Sequence, residues 1–388
     1  MKKYEAYKPS GIVWIGDVPK RWQIIPFKYC VDINNGADYK DVETDDEDAY
    51  PVVGSGGVFA YASKYMYDGE VIFLGRKGTV DKPLYFNGKF WAIDTMFYAI
   101  PKKKNNGKFL YYQSLTFPFD YYLTNTARPS MTQTDLGDNK ICLPPLAEQT
   151  AIVNYLDAKC AKIDNVVSVQ KKRIELLKEL KQSIITKAVT KGLDKNAKMK
   201  DSGIEWIGEV PERWEIIPFK HCVQINNGAD YKDVETDDED AYPVIGSGGD
   251  FAFATKYMYD GEVIFLGRKG TVDKPLYFKG KFWAIDTMFY AIPKKKNNGK
   301  YLYYQSLTFP FDYYLTNTAR PSMTQTDLGD NKICRPPLSE QSAIVEYLDK
   351  KCATIDKQIA KVEKQIELLY EYKQSVITEC VTGKRKVC

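Results

Sequence analysis

The chain repeats itself. Ser10-Gly-Ile-Val-Trp-Ile-Gly16 returns as Ser202-Gly-Ile-Glu-Trp-Ile-Gly208, and the offset of 192 residues then holds without a gap into the C-terminal region. Gly54-Ser-Gly-Gly57 pairs with Gly246-Ser-Gly-Gly249, and Leu74-Gly-Arg-Lys-Gly-Thr79 with Leu266-Gly-Arg-Lys-Gly-Thr271. Residues 33–142 and 225–334 differ at six of 110 positions: Val53/Ile245, Val58/Asp250, Tyr61/Phe253, Ser63/Thr255, Asn87/Lys279 and Phe109/Tyr301. A period of this length marks a duplicated domain rather than a solenoid, whose repeats run to roughly 20–50 residues. The 388 residues therefore read as a nine-residue leader, one repeat of 192 residues and a second of 187.

Each copy has two parts. The first is rich in Gly, Tyr and Phe and carries short β-like runs at Glu70–Gly75, Pro83–Phe86, Phe90–Ile93 and Met96–Ile100. Asn87-Gly88 between two of these runs is a hairpin signal. Phe109–Leu115 has helical character. The second part follows Pro144-Pro145: from Ala147 to Thr190 there is no Pro or Gly, enough for a helix of roughly 66 Å at 1.5 Å per residue. Apolar residues recur there every seven positions, at Leu156, Ile163, Leu177 and Ile184 with Gln170 in their row, and at Leu348, Ile355, Val362, Leu369 and Val376 in the second copy. Cys160, Val167 and Ile174, with Cys352, Ile359 and Ile366, form a second row. A sustained seven-residue repeat predicts a coiled-coil seam, with Gln170 as a polar residue that sets register. Domain, long helix, domain, long helix is most simply satisfied by an antiparallel helix pair with a pseudo-two-fold axis and a globular part at either end. The fold class is α+β.

Composition narrows the function. There is a single histidine, His221, and it stands where the other copy has Tyr29. The two copies therefore share no histidine role, which argues against His metal sites, Ser-His-Asp triads and His general bases. Gly75-Arg-Lys-Gly-Thr79 is not a P-loop, and there is no G-x-G-x-x-G and no Asn-Pro-Pro-aromatic quartet. The eight cysteines form no C-x-x-C and read as small buried hydrophobes rather than disulfides or a zinc site. No run approaches 18 apolar residues and the N-terminus lacks an apolar core, so a cytoplasmic protein with neither membrane span nor signal peptide is expected.

The formal net charge of +4 conceals local structure. Residues 38–48 form an acidic run that returns at 230–240; a solvated or partner-facing loop is the expectation, with a metal site as the alternative. Without that run residues 33–142 carry a net +4, and 147–191 carry another +4, so faces away from the acidic run can follow phosphates. Three segments per copy combine cations, hydroxyls, amides and aromatics in turn-rich sequence. They are Ser55, Gly56, Gly57 and Tyr61; Arg76, Lys77 and Thr79; and Asn125, Arg128 and Ser130. Their counterparts are Ser247, Gly248, Gly249 and Phe253; Arg268, Lys269 and Thr271; and Asn317, Arg320 and Ser322. Arg pairs with guanine and Asn with adenine, while Ser, Thr and Lys suit phosphates.

Ser10-Gly-Ile-x-Trp-Ile-Gly-x-Val-Pro19-x-x-Trp22, its copy at 202–214, Gly75-Arg-Lys-Gly-Thr79, Pro144-Pro-Leu-Ala-Glu-Gln149 and Pro336-Pro-Leu-Ser-Glu-Gln341 together resemble the specificity subunits of type I restriction-modification systems, over nearly the whole chain and twice in family order. The resemblance implies target recognition domains at 1–143 and 201–335, with spacer helices plus linker or tail at 144–200 and 336–388. Each domain would read one half of a bipartite, gapped site in double-stranded DNA. Two modification subunits using S-adenosylmethionine and restriction subunits using ATP and Mg would be the partners, and the chain itself would bind no cofactor and catalyse nothing. Family members usually carry divergent recognition domains; here the two are nearly the same, which predicts a near-palindromic target. The helices would serve as the ruler, with half-site centres about one turn, roughly 10 base pairs, apart. The competing readings are a coiled-coil adaptor that never touches DNA and a self-sufficient DNA-modifying enzyme.

Overall fold

A computed structural model describes residues 3–122, 129–311 and 322–387. The chain divides into two compact units, Met1–Gln170 with Lys364–Cys388, and Lys171–Glu363. The borders drawn from sequence at 143/144 and 335/336 fall where a strand ends, whereas 200/201 falls inside the strand Met199–Asp201. The compact units instead cut both long helices near their middles, so each unit owns the first half of one helix and the last half of the other.

In unit 1 the strands are β1 (Tyr7–Pro9), β2 (Asp17–Pro19), β3 (Gln23–Pro26), β4 (Val31–Asn35), β5 (Glu43–Thr44), β6 (Tyr50–Gly54), β7 (Gly57–Ala62), β8 (Tyr67–Gly75), β9 (Leu84–Ala92), β10 (Met96–Pro101) and β11 (Lys140–Leu143). Seven of them form one sheet in the order β4-β10-β8-β9-β6-β7-β5, antiparallel except for β6 against β9. Helices α1 (Gly107–Ser114), α2 (Phe119–Tyr122), α3 (Gln133–Asp138) and α4 (Leu146–Lys191) complete the first copy. Unit 2 repeats the same sheet order, with α5 (Gly299–Ser306), α6 (Gln325–Asp330) and α7 (Leu338–Val381). The chain is thus α+β, with two tandem globular parts and two long helices.

One sequence expectation needs correction. Asn87-Gly88 is not a hairpin turn: β9 runs straight through it, and Gly88 faces Gly69 across the β8–β9 ladder. Both glycines have positive φ, 132° and 144°, so the pair absorbs a local irregularity in mid-strand, and the connection between β8 and β9 lies at residues 76–83. The leader is built into the first unit. β1 pairs with β2, as Met199–Asp201 of the inter-repeat linker pairs with Glu209–Pro211, so residues 7–9 occupy in unit 1 the place of the linker in unit 2.

The long helices start where proline stops the preceding strand. The Pro145 carbonyl accepts from the N–H groups of Glu148 and Gln149 at 2.9 and 3.0 Å. Gln149 is buried; its Nε2 donates to Pro144 O and its Oε1 accepts from Asn106 N, just ahead of α1. The motif Pro-Pro-Leu-x-Glu-Gln therefore welds the helix start to the globular part. Within each unit the helix segments run antiparallel. Asp164 pairs with Lys373 at 2.7 Å and Tyr155 with Arg385 at 2.9 Å in unit 1; Lys181 pairs with Asp356 at 2.7 Å in unit 2. Leu156, Ile163, Leu348, Ile355, Val362 and Val376 are buried, while Gln170, Leu177, Ile184 and Leu369 are half-buried. The Gln170 Oε1 is buried with no hydrogen-bond partner.

The helix ends are gripped by the globular parts. In unit 1 the buried Gln113 Nε2 donates to Cys142 O at 2.6 Å and to Val381 O, the last residue of α7, at 2.7 Å. In unit 2 Gln305 Nε2 donates to Cys334 O and to Val189 O in the last turn of α4. Phe109 lies beside Gln113, whereas Tyr301 beside Gln305 adds a hydroxyl that reaches Cys334 O at 2.9 Å and Val189 O at 3.3 Å. The buried Trp22 and Trp214 close over the turns that follow the helices: a Cβ on Gly383 would lie 3.3 Å from Trp22, and one on Gly192 3.0 Å from Trp214. Both glycines have a φ of 73° and end their helices in the left-handed region. All seven described cysteines are buried and free, and burial pushes the thiol of Cys30 up to about 11 and those of Cys142, Cys334 and Cys380 up to about 12. No helix among the described residues is long and apolar enough to cross a membrane.

Candidate nucleic-acid interface

The glycine-rich segment is a hairpin. Gly54 and Gly57 pair across a two-residue turn made by Ser55 and Gly56, with Gly57 at φ 103°. The ladder slips between Val52 and Val53, which leaves Phe59 unpaired, 55% exposed and edge-on to Tyr39. Tyr61 stands in β7 opposite Thr44 and Pro51, half-buried, so the expected readout segment is a turn at its start and strand at its end.

The second segment begins where β8 ends at Gly75. A Cβ on Gly75 would sit 2.3 Å from Thr79 O, so only glycine lets the chain fold back this tightly. Gly78 has open space around it but a φ of 82°, which makes glycine a conformational need there. The loop is then tied to the third segment: Gly78 N–H donates to Pro129 O, Met131 N–H to Arg76 O, and Lys77 bridges Ser130. Lys269 bridges Ser322 in unit 2. Asn125, Arg128, Asn317 and Arg320 lie outside the described residues.

What gathers these segments is a turn that the sequence reading passed over, Ile93-Asp94-Thr95 between β9 and β10. Ile93 N–H donates to Val53 O beside the glycine hairpin. The Asp94 carbonyl accepts from Arg76 Nη1 at 3.3 Å, and the Thr95 carbonyl accepts from the N–H groups of Arg76 and Lys77. Gly36 packs its backbone on the same turn, where a Cβ would come within 1.9 Å of Ile93 O. The hub recurs around Ile285-Asp286-Thr287, with Arg268 Nη1 on Asp286 O at 3.2 Å and Gly228 against Ile285 O. A signal existed: Phe90–Ile93 and Met96–Ile100 read as strands, so the residues between them had to form a tight connection.

Arg76 is held by the Asp94 carbonyl and by Phe97, whose ring centroid lies 5.8 Å from the guanidinium carbon. Arg76 is half-buried, Lys77 and Thr79 beside it are exposed, and Arg268 is held in the same way on Phe289. A cation fixed by a carbonyl and an aromatic face loses less freedom when it meets a base edge or phosphate. The acidic run flanks this site: its seven carboxylates, from Asp38 to Asp48, are all exposed, and Tyr39 within it touches Phe59 of the hairpin. No group of three or more His, Cys, Asp or Glu side chains among the described residues is placed to hold a metal ion.

The model of the type I restriction modification DNA specificity domain matches residues 19–179 and 211–368. The type I restriction enzyme MjaVIII specificity subunit of Methanocaldococcus jannaschii is 26% identical over 355 residues, covering 81% of this chain and 76% of that protein. The putative MjaX specificity subunit of the same organism is 25% identical over 438 residues, covering 99% and 98%. Among solved structures, a chain from work on complex assembly and conformational transition of the type I R-M system shares the fold at a TM-score of 0.68 and 15% identity, covering 94% of this chain and 98% of that one.

Proposed function

The chain belongs to the type I restriction-modification DNA specificity family, and on that premise we propose that each unit reads one half of a bipartite, gapped DNA site. A specificity subunit recognises DNA sequence and is non-catalytic; methylation and cleavage lie in partner subunits. The observation that supports assigning the reading to these loops is the convergence of the glycine hairpin and the Arg-Lys loop on one turn, with the Ser130 or Ser322 segment tied to the Arg-Lys loop, built the same way in both units. Arg76 and Arg268 reach guanine edges, and Lys77, Thr79, Lys269, Thr271, Ser130 and Ser322 position the phosphate backbone. Ser55, Gly56, Gly57 and their counterparts bring backbone close to the duplex. The exposed carboxylates of 38–48 repel phosphate and confine contact to the Arg-Lys side.

Because the two reading surfaces are nearly identical, the target is near-palindromic, a half-site and its near reverse complement, with centres about one turn, roughly 10 base pairs, apart. Two modification subunits supply S-adenosylmethionine-dependent methylation, and restriction subunits supply ATP- and Mg-dependent cleavage. The protein works in the cytoplasm, where the DNA is. Sequencing methyladenine in a host carrying this chain and its modification subunit tests the reading. A bipartite motif with related halves is expected; an asymmetric motif with unrelated halves overturns the palindromic version.

A further inference from the structure

The two reading surfaces are not quite the same, and the structure isolates where they differ. Of the six differences between residues 33–142 and 225–334, Val53/Ile245 and Phe109/Tyr301 are buried. Asn87/Lys279, exposed in both units, lies opposite Glu70/Glu262 in mid-strand, and Tyr85, two residues earlier on the same side of the strand, donates its hydroxyl to Glu70 and packs on Tyr111 of α1, so this difference sits on the side of the sheet that carries α1. Ser63 and Thr255 use N–H and hydroxyl alike on Val42 O and Val234 O, so the exchange adds a methyl and changes no hydrogen bond. Tyr61/Phe253 is half-buried within the strand. That leaves Val58/Asp250. Both are exposed, Val58 by 50%, and both follow directly on the glycine hairpin that hangs on the Ile93 or Ile285 turn holding the arginine. The Asp250 carboxylate has no hydrogen-bond or ion-pair partner among the described residues.

We infer that this one position reads a base pair and makes the two half-sites differ there, an inference that rests on the half-site reading above. A carboxylate accepts the exocyclic N4–H of cytosine in the major groove, whereas an apolar side chain packs on the thymine methyl. Unit 2, with Asp250, takes a C·G pair at the position where unit 1, with Val58, takes T·A. The target is then a gapped palindrome broken by one pyrimidine transition. An Asp here tolerates the surrounding phosphate field only if it is satisfied by a base donor, which makes it more discriminating than Val58.

The exchange can be made in both directions, and each variant gives one unit a residue the other unit already carries at the same backbone position. The full chain with its modification subunit is supplied with genomic DNA and S-adenosylmethionine, and the methyladenine positions are sequenced for wild type, Asp250→Val and Val58→Asp. The expected wild-type motif has halves that are reverse complements except at one base pair. Asp250→Val should turn the C·G half into T·A and give a perfect palindrome; Val58→Asp should turn the other half into C·G. Discrimination at that pair should change by at least about tenfold. Identical halves in the wild-type motif overturn the inference but leave the half-site reading intact, and so does a motif unchanged in both variants. An increase in methylation by Asp250→Val that is equal on all sequences and weakens with added salt overturns it as well, by showing Asp250 to be a phosphate repellent. Absence of any bipartite motif overturns the half-site reading and this inference with it.

Discussion

The globular parts and the long helices of this duplicated chain have diverged to very different degrees. Across residues 33–142 and 225–334 six of 110 positions differ; across 147–190 and 339–382, eighteen of 44 do. Within the helices the differences crowd into the middle, where eight of the nine positions from Asn165 to Arg173 are changed. Many of the unchanged positions touch the globular parts or pair the helices. Gln149/Gln341 fasten the helix starts, Asp157/Asp349 bind Tyr112/Tyr304, and Gln182/Gln374 cap Leu307 and Leu115 carbonyls. Asp164 and Lys181 meet the partners that their own counterparts, Asp356 and Lys373, also provide. Two units of the same construction need the same docking contacts at helix ends, while mid-helix residues are constrained only by the seam.

The helix clamps offer the largest test of this contrast. Gln113→Leu removes the donor shared by Cys142 O and Val381 O and should destabilise the full chain by about 2–4 kcal/mol, read as a lower denaturant midpoint. Gln305→Leu should cost less, because the Tyr301 hydroxyl still reaches both carbonyls, and Phe109→Tyr in the Gln113→Leu background should recover part of the loss. Equal losses in the two units would break the argument. Next come the arginines. Arg76→Ala and Arg268→Ala should each weaken DNA binding by the assembled complex by about 1–3 kcal/mol on target sequence. A loss that is the same on all sequences would reassign them to phosphate.

In the seam, Gln170→Val gives α4 the residue α7 carries at Val362 and removes a buried oxygen without a partner. A gain of about 1 kcal/mol is expected in the unfolding midpoint, the cost of register selection being lost rather than packing. An unchanged or lowered midpoint would show that Gln170 is solvated in solution. The smallest effect is that of pH near neutrality. The buried thiols titrate at about 11 to 12 when folded and near 8.5 when unfolded, so the protonated form favours the folded state. That contribution is fully present below about pH 8.5 and is lost as pH rises toward 12. Stability should be flat from pH 7 to 8.5 and fall beyond, and thiol alkylation at pH 7 should wait for unfolding.

Much of the molecule was legible in its residues. The duplication, the helix starts after Pro144-Pro145 and Pro336-Pro337, and the seven-residue rows were all visible, because periodicity and proline act locally. The β9 strand was misread at Asn87-Gly88, since a glycine at positive φ serves a hairpin turn and a cross-strand glycine pair equally well, and only the partner Gly69 distinguishes them. The flanking strands implied a tight connection at Ile93-Asp94-Thr95, but its role as a hub went unseen because that role lies in backbone groups rather than side chains.

The sequence alone settles that this protein is built twice, that each half is a β-rich globular part followed by a long seam-bearing helix, and that the two globular parts differ at a handful of named positions. It does so because repeats, heptads and helix breakers are properties of neighbours along the chain. Only the tertiary structure decides that each globular part is completed by the end of the other copy's helix, that two separate loops meet on one turn with a third tied to them, and that five of the six differences are buried, internally satisfied, half-buried in a strand or turned to the α1 side while Val58/Asp250 is not. Those facts depend on which groups approach one another across hundreds of residues, where close backbone contacts and burial, rather than local propensity, set the outcome.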